Sequence, residues 1–558
     1  MLARRTLPWI VAVSGLAAAG LAGCGDDSAS DSTTSAELDS AKPTVSTPST
    51  TGVGTGECGA SEPEPPTVEP VADVESDFTM TSFDGAEIRI HWFPAVDVDE
   101  PAATLLQGPG WGLAGSTDTG VSGLFGDLSV GSLRAEGYNV LTWDPRGFGE
   151  STGTITVNSA DREGRDVQRL LDWVATQPDV LLDGPGDPRV GMLGGSYGGG
   201  IANITAAIDC RVDVIAPTIA WNSLRTSLYK GEIVKQGWAD LLYEAARTRE
   251  LDEHLVSAHE SGLVTGTISD EDAAWFADRG PGDRIGDIDV PTLIIQGTVD
   301  TLFTLDEAVA NFAILREEDV PVAMLWYCGG HGVCLSEPGD DSWTGPITLH
   351  WFDYYLRGNA DAELPPTFVF VDQRGTRWAL DDWPQPSGTL DASGSGRLEL
   401  VAEGGSGPAI APADGGGVIG GLALEFTPGR ATNAVEVTVR GEPGEDQFVV
   451  GAATLEVTYS GTAEEGDRPT RAFAQLVDDE TGLVLGNQVT PVVLDLDGAS
   501  HSISLPLETV AHRLAAGSSI TLQIVATTTA YAEPRLSGTV EFTSIDVSLP
   551  VISGVRAL

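Results

Sequence analysis

A serine framed by glycines is the first pattern in the sequence whose residue types and spacing could do chemistry. Gly194, Ser196 and Gly198 fit G-x-S-x-G within the run GMLGGSYGGG. In this motif the glycines permit a sharp turn from a strand into a helix, and the turn exposes the serine hydroxyl. Glycine-rich turns also cradle phosphates or simply close a strand–helix unit, so the motif needs chemical partners elsewhere in the chain.

Candidate partners of the serine follow two later apolar runs. Asp300 comes after PTLIIQG, and His331 comes after VAMLWYC. An isolated serine is a weak nucleophile, so it needs a base, and the base needs an acid that orients it. The order Ser196, Asp300, His331 is the order of the α/β-hydrolases. Asp306 is the second candidate for the acid, but its position predicts that it caps the next helix. The sequence therefore predicts acyl transfer through a nucleophile, an acid and a base.

An oxyanion hole would complete this machinery. The backbone N–H of Tyr197, which follows the candidate nucleophile, is the expected first donor. The second donor is expected from the run LLQGPGWG, in which Pro109 has no N–H. Gly110 or Trp111 is the candidate there, through the backbone or through the indole N–H. The alternative is that Trp111 is an aromatic wall of the substrate site.

Two cysteines flank the candidate base. His331 lies in the run WYCGGHGVC between Cys328 and Cys334. A zinc site would need three or four ligands, and the remaining histidines and cysteines show no second paired motif, so no metal and no cofactor is expected. A local disulfide between Cys328 and Cys334 is favoured, and it would limit the freedom of the histidine loop. By elimination, Cys58 would then pair with Cys210.

Alternating strand and helix patterns predict the elements that position these residues. Short apolar runs such as AATLLQG, YNVLTWD and RVGMLGG alternate with segments whose apolar residues are three and four positions apart. This alternation is typical of a largely parallel sheet with helices on both faces. An α/β-hydrolase domain is predicted over 71–363, with a helical cap at about 222–286. Evenly spaced strands then predict an all-β, jelly-roll-like sandwich over 364–558.

The N-terminus has the features of an export signal. Residues 1–23 carry two arginines, a short apolar run and small residues, and LAGC resembles the lipobox of bacterial lipoproteins, with Cys24 as the lipidated residue. The alternative is an ordinary secretory peptide. Residues 24–70 are rich in Ser, Thr, Pro and Gly and predict a disordered tether. We therefore expect an exported protein, anchored to the cell membrane by lipid and facing away from the cytoplasm.

The charge balance excludes one class of partner. The formal net charge is −52, and the sequence contains only three lysines, Lys42, Lys230 and Lys235. Nucleic acid is therefore not expected as a partner, because phosphate binding needs clustered basic residues.

These runs together resemble a known group of enzymes. The segments WDPRGFGESTG, GMLGGSYGG, IIQGTVDTLF and HWFDYYLRGN resemble the Xaa-Pro dipeptidyl-peptidase-like (S15) family, which includes cocaine-esterase-like enzymes. The resemblance implies an α/β-hydrolase with a helical cap and a C-terminal jelly roll that helps to wall the site. Family members commonly have a tyrosine in the loop after the early strand, where this sequence has Gly110, Trp111 and Gly112. No carboxylate that would bind a peptide's free amino terminus is recognised.

The predicted function is an exported serine hydrolase that cleaves ester or amide bonds through an acyl-enzyme on Ser196. Its expected partner is a small ester, amide or peptide substrate. An Xaa-Pro dipeptidyl-peptidase that releases N-terminal dipeptides is the alternative within the enzymes. A surface-binding lipoprotein with an inactive hydrolase domain is the alternative outside them.

Overall fold

The structure, a computed structural model, describes residues 65–120, 128–340, 342–409 and 424–558. The described residues fall in a single compact unit, Cys58–Leu558. In these four ranges, no helix combines the length and the apolar character needed to cross a membrane. The predictions for residues 1–23, Cys24 and Cys58 lie outside the described residues.

A large mixed sheet forms the centre of the molecule. Its strands and an adjoining two-stranded hairpin are β1 (Val68–Pro70), β2 (Asp77–Thr81), β3 (Glu87–Phe93), β4 (Thr104–Gly108), β5 (Asn139–Trp143), β6 (Leu182–Gly184), β7 (Asp187–Pro188), β8 (Val190–Gly195), β9 (Val212–Thr218), β10 (Thr292–Gly297), β11 (Val322–Tyr327), β12 (Phe368–Val371) and β13 (Arg377–Leu380). From β5 the order β5-β4-β8-β9-β10-β11-β12 is parallel throughout. The predicted parallel sheet is therefore present.

Helices cover both faces of this sheet. They are α1 (Val130–Ala135), α2 (Glu163–Val174), α3 (Tyr197–Ile208), α4 (Leu224–Leu228), α5 (Gln236–Ala246), α6 (Glu253–Thr265), α7 (Asp270–Ala277), α8 (Leu305–Glu317) and α9 (Thr344–Tyr355), with short 3₁₀ turns at Lys230–Glu232, Gly282–Asp287 and Leu485–Asn487. Successive strand residues such as Leu293 and Ile294 belong to separate apolar clusters. Since side chains alternate along a strand, these clusters lie on opposite faces, which explains why the strands read as unbroken apolar runs.

The predicted cap corresponds to the helices α4 to α7. They occupy the connection between β9 and β10, where the sequence loses its strand pattern. An apolar cluster joins cap residues such as Trp238 and Phe276 to core residues such as Tyr197 and Phe303. The cap is thus packed against the end of the sheet at which β8 passes into α3.

The C-terminal region contains two antiparallel sheets. Their strands are β14 (Gly388–Glu399), β15 (Ala434–Arg440), β16 (Gln447–Gly451), β17 (Thr454–Ala463), β18 (Arg471–Asp478), β19 (Thr490–Val493), β20 (Asp497–Pro506), β21 (Val510–Leu514), β22 (Ser519–Val525) and β23 (Gly538–Ile552), and β24 (Arg556–Ala557) follows them. Among the described residues one sheet has six strands and the other four. A shared cluster that includes Val437 and Val457 fills the space between them, as in a sandwich. The jelly-roll order of the strands stays a prediction.

Two predicted boundaries are wrong. The sandwich does not begin at residue 364, because β12 pairs with β11 in the central sheet. The strands β13 and β24 follow β12 in that sheet, which has twelve strands among the described residues. The β12 residues are buried on both faces, which suits a strand inside a covered sheet rather than a sandwich strand. The predicted tether also ends too late, since Val68–Pro70 forms an edge strand on β2.

Candidate active site

The serine turn lies where β8 ends and α3 begins. Ser196 has φ 58° and ψ −116°, a conformation that most residues avoid and that points its side chain out of the turn. A Cβ at Gly198 would lie 2.1 Å from the carbonyl oxygen of Gly108 on the neighbouring strand β4. Only glycine fits at this close approach, so the G-x-S-x-G spacing follows directly from the packing of the turn.

The acid and the base lie at the ends of adjacent parallel strands. Asp300 follows β10, and His331 follows β11, which pairs with β10 in register. The Asp300 side chain is fully buried, and its Oδ1 accepts hydrogen bonds from the backbone N–H groups of Leu302 and Phe303 at 3.0 and 2.8 Å. These two donors fix the carboxylate and leave Oδ2 directed at the histidine loop.

A continuous chain of hydrogen bonds joins the three predicted residues. His331 Nδ1 donates to Asp300 Oδ2 at 2.7 Å, and the backbone N–H of His331 donates to the same oxygen at 3.1 Å. The Ser196 hydroxyl then donates to His331 Nε2 at 2.8 Å. The predicted convergence of these side chains at one sheet edge is therefore observed. With Nδ1 protonated, Nε2 is free to take a proton from Ser196.

The cysteines beside the base form the predicted disulfide. Cys328 and Cys334 are bonded, with Cα atoms 5.6 Å apart and a separation of six positions in the sequence. The bond closes the loop that carries His331. The second predicted pairing, between Cys58 and Cys210, includes a residue outside the described ranges and stays a prediction.

The oxyanion prediction is wrong for one of its donors. The Trp111 indole Nε1 donates to the backbone oxygen of Leu242 in α5 at 2.9 Å, so it is engaged by the cap and is not free for a substrate oxygen. Trp111 instead lines the cavity beside Ser196. The backbone N–H groups of Tyr197, Gly110 and Trp111 stay predictions. Tyr197 is the first residue of α3, and its N–H lies where the helix dipole favours negative charge.

A cavity of about 100 Å³ opens from Ser196 beneath the cap. Its walls are almost entirely apolar. They are formed by Trp111, Val157, Trp221, Leu302 and Phe303 on the core side and by Leu228, Ala239, Leu242, Ala246, Leu255, Ala258 and Phe276 on the cap side. Among the described residues that line it there is no carboxylate. His259, which also lines the cavity, stacks on Tyr243 with ring centroids 3.8 Å apart and has Nε2 3.0 Å from an oxygen of Asp240.

Asp306, the second candidate acid, has a different role from the predicted one. Thr304 occupies the N-cap position of α8, and Asp306 lies in the first turn. The Asp306 carboxylate pairs with the Lys230 ammonium at 2.8 Å and accepts a hydrogen bond from Thr509 N at 3.1 Å. Its oxygens are thus held by a cap lysine and by the sandwich rather than by its own helix. No contact joins it to His331 in the described part of the chain.

The sequence patterns do not predict two buried ionisable groups near the site, Lys235 and Glu508. Lys235 donates to the backbone oxygen of Leu302 at 3.1 Å, within the turn that carries the acid. Burial lowers the pKa of the Lys235 ammonium to about 8. Nearby, Glu508 of the sandwich contacts Lys230 Nζ at 2.8 Å, and burial raises the pKa of its carboxyl to about 7. No local motif marks these residues, although two of the chain's three lysines meet here.

No cluster of three or more His, Cys, Asp or Glu with the geometry of a metal site occurs among the residues that the structure describes.

The site and the sheet together define the fold. The chain has a covered parallel sheet, a serine turn after one strand, and an acid and a histidine after two later strands. This arrangement places it among proteins of the α/β-hydrolase fold.

The sequence comparisons specify the resemblance. Residues 84–332 match the model of the X-Pro dipeptidyl-peptidase (S15 family). Dipeptidyl aminopeptidase BIII of Pseudoxanthomonas mexicana is 25% identical over 239 residues, which are 41% of this chain and 30% of that protein. An uncharacterized 31.7 kDa protein in the traX-finO intergenic region of Escherichia coli is 27% identical over 164 residues, 29% of this chain and 55% of that protein. The chain thus spans about half, or less, of these relatives.

Solved structures share the fold over a larger part of the chain. An aminopeptidase from the marine sediment archaeon Thaumarchaeota archaeon has a TM-score of 0.63 and 14% identity, covering 88% of this chain and 98% of that one. A CocE/NonD family hydrolase from Staphylococcus aureus has a TM-score of 0.59 and 14% identity, covering 86% and 93%. The match to the family model confirms the predicted resemblance to the S15 family, and these structures confirm the α/β-hydrolase fold.

Proposed function

We propose that the protein is a serine hydrolase that cleaves ester or amide bonds through an acyl-enzyme on Ser196. The observation that carries this proposal is the unbroken hydrogen-bond chain from Asp300 through His331 to the Ser196 hydroxyl. The match to a family of hydrolases supports the same reaction class.

Each residue of the chain has a defined step. His331 Nε2 takes the proton as Ser196 Oγ attacks the substrate carbonyl, and the same proton then passes to the leaving group. The Asp300 carboxylate stabilises the imidazolium and holds its orientation through two contacts on Oδ2. Water then attacks the acyl-enzyme by the reverse route. The N–H of Tyr197 is proposed to stabilise the oxyanion in both steps.

The cavity beside Ser196 indicates which part of the substrate the protein binds. Its apolar walls gain free energy from each methylene that they remove from water, about 0.8 kcal/mol for complete burial. The apolar lining includes residues from all four cap helices, so it offers contacts beyond those that an acetyl group would make. We therefore propose substrates with an extended apolar acyl group, bound under the cap.

The Xaa-Pro dipeptidyl-peptidase reading remains as a second candidate, because the family model and a dipeptidyl aminopeptidase relative favour it. Such an enzyme has to bind a charged amino terminus near the serine, and that takes a carboxylate. The described lining of the cavity offers none. Acyl esters and Xaa-Pro anilides, with free and with blocked amino termini, separate the two readings. Turnover of unblocked Xaa-Pro substrates alone would overturn the preference for acyl substrates.

Export and lipid attachment at Cys24 are also proposed, on the sequence LAGC after an apolar run. Expression of the full chain with a radiolabelled fatty acid tests this. Label in the parent protein and none in Cys24→Ala, which should leave the membrane fraction, is the expected result. Equal label in both would refute the anchor.

A fluorophosphonate probe tests the nucleophile directly. The parent protein is expected to be labelled on the peptide that contains Ser196, and Ser196→Ala is expected to lose labelling and about 10⁴-fold or more of its turnover while remaining folded. A parent protein that is folded but neither labelled nor active would instead favour the inactive, surface-binding lipoprotein.

A further inference from the structure

One turn of the sandwich lies against both loops that carry the acid and the base. This sandwich turn comprises Leu485–Gln488, between β18 and β19. It contains two residues with left-handed backbone, Gly486 at φ 60° and Asn487 at φ 56°. Asn487 and Gln488 are only 4% and 5% exposed. Buried amides of this kind need hydrogen-bond partners.

The two amides find their partners in the catalytic loops. Gln488 Nε2 donates to the backbone oxygen of Asp300 at 2.8 Å. Asn487 Nδ2 donates to the backbone oxygen of Val333, two positions after the base, also at 2.8 Å. Between them, Gly486 approaches so closely that a Cβ there would lie 2.9 Å from the backbone oxygen of Thr298. This turn therefore contacts the acid loop twice and the base loop once.

The two catalytic loops also touch each other. A Cβ at Gly332 would lie 1.7 Å from the backbone oxygen of Val299, and one at Gly330 would lie 2.7 Å from Asp300 Cβ. Because the loops are in direct contact, displacement of either one changes the distance between Asp300 and His331. Reaction rates depend steeply on such distances, and a misplacement of about 1 Å can cost about a hundredfold.

We propose that Asn487 and Gln488 are positioning residues for the reaction, and that through them the sandwich sets the distance between acid and base. The proposal rests on the proposed function, since it concerns the same Ser196 site. Neither residue reaches Ser196 or the apolar cavity lining in the described structure. They therefore act on the chemical step and not on the binding of the acyl group.

A matched pair of variants tests the first amide. Gln488→Met removes the donor to Asp300 and keeps the length of the side chain. Gln373→Met is the control. Gln373 Nε2 donates to the backbone oxygen of Arg513 at 2.7 Å and thus also ties the core to the sandwich, but its side chain makes no hydrogen bond to the acid loop or the base loop among the described residues. Turnover of an activated ester, the fluorophosphonate labelling rate and thermal unfolding are measured for both.

We expect Gln488→Met to lower kcat and the labelling rate in parallel, by about tenfold to a hundredfold, with KM within about twofold of the parent. Gln373→Met should keep both rates. Asn487→Gly serves as a second variant, since glycine retains the left-handed backbone and loses the amide, and it should also lower kcat with little change in KM. It decides the test if Gln488→Met does not fold.

Two results would overturn the inference: folded Gln488→Met and Asn487→Gly proteins with the parent kcat, or an equal loss of kcat in Gln373→Met. A parent protein that is neither labelled nor active would reject the proposed function itself, which distinguishes the two failures.

Discussion

The Ser196 site lies between the cap and the sandwich, and the two sides differ in the kind of contact that they make. The cap side is a cavity walled by aliphatic and aromatic side chains such as Leu255 and Phe276. The sandwich side consists of directional polar contacts, from Gln488 to Asp300 and from Asn487 to Val333. On this second side the buried Glu508 of the sandwich also contacts Lys230 at 2.8 Å.

The difference separates two tasks. Apolar walls bind a substrate by excluding water and impose little direction, whereas hydrogen bonds fix atoms to within a few tenths of an ångström. The side that faces the substrate therefore has the first kind of contact, and the side that holds the acid and base has the second. Changes on the sandwich side should affect kcat, and changes on the cap side should affect the choice of acyl group.

The largest effect is expected at the acid. Asp300→Asn should lower kcat by about 10⁴-fold, because an amide does not stabilise the imidazolium and favours the wrong histidine tautomer. Asp306→Asn is the matched control, since Asp306 contacts Lys230 and not His331. Steady-state kinetics of both variants on one ester check this. Losses of similar size in both would show that the acid is misassigned.

A pH-dependent effect on stability is expected where Glu508 of the sandwich contacts Lys230 of the cap. The pKa of Glu508 is about 7 in the folded protein against an ordinary 4.5, so the folded state binds a proton that the unfolded chain releases between these values. Its contribution to the free energy of unfolding is complete below pH 4.5 and falls by about 3 kcal/mol as the pH rises to 7. Glu508→Gln should lack this decline.

Urea unfolding at pH 5, 6, 7 and 8 measures the decline. Glu445→Gln, which changes an exposed glutamate of the sandwich, should follow the parent at every pH. The same pH dependence in Glu508→Gln as in the parent would contradict the assignment of the buried carboxyl.

On the cap side, Ala258→Trp should fill part of the cavity. It is expected to lower kcat/KM for an octanoyl ester by about tenfold to a hundredfold and leave the acetyl ester nearly unchanged, because each excluded methylene forfeits about 0.8 kcal/mol. Val264→Trp, on the exposed end of the same helix, is the control. Unchanged chain-length preference in Ala258→Trp would mean that acyl groups bind elsewhere.

The smallest effect is expected at the disulfide. The double variant Cys328→Ser/Cys334→Ser should lose less than tenfold in kcat, which is under about 1.4 kcal/mol, because Asp300 and Asn487 still hold the loop. Ester turnover and thermal unfolding of the double variant check this. Complete inactivation of a folded double variant would make the disulfide, rather than the sandwich turn, the main support of the base.

The sequence predicts the reactive residues better than the residues that hold them in position. Ser196 is marked by a local motif, and Asp300 and His331 follow apolar runs whose ends meet at one sheet edge. Gln488 has no such mark, because its partner lies 188 positions away and an amide resembles any other polar residue.

Where the prediction is wrong, distant contacts decide the outcome. The Trp111 indole bonds a cap carbonyl 131 positions further on, which the glycine-rich loop does not reveal. The run of β12 has the unbroken apolar pattern of a parallel strand, but its place after the last predicted helix assigned it to the sandwich. Periodicity identifies elements, whereas neighbours in space fix their roles.

The sandwich is fastened to the central sheet at both of its ends. It leaves from β13, and it returns through β24, which pairs with β13 at Trp378 and Ala379. Because the chain enters and leaves the sandwich beside the same strand, the sandwich is less free to rotate against the central sheet than it would be on a single linker. A chimera that takes its sandwich from a relative should therefore be joined within 381–387 and 553–555. These junctions keep the pairing between β13 and β24 intact.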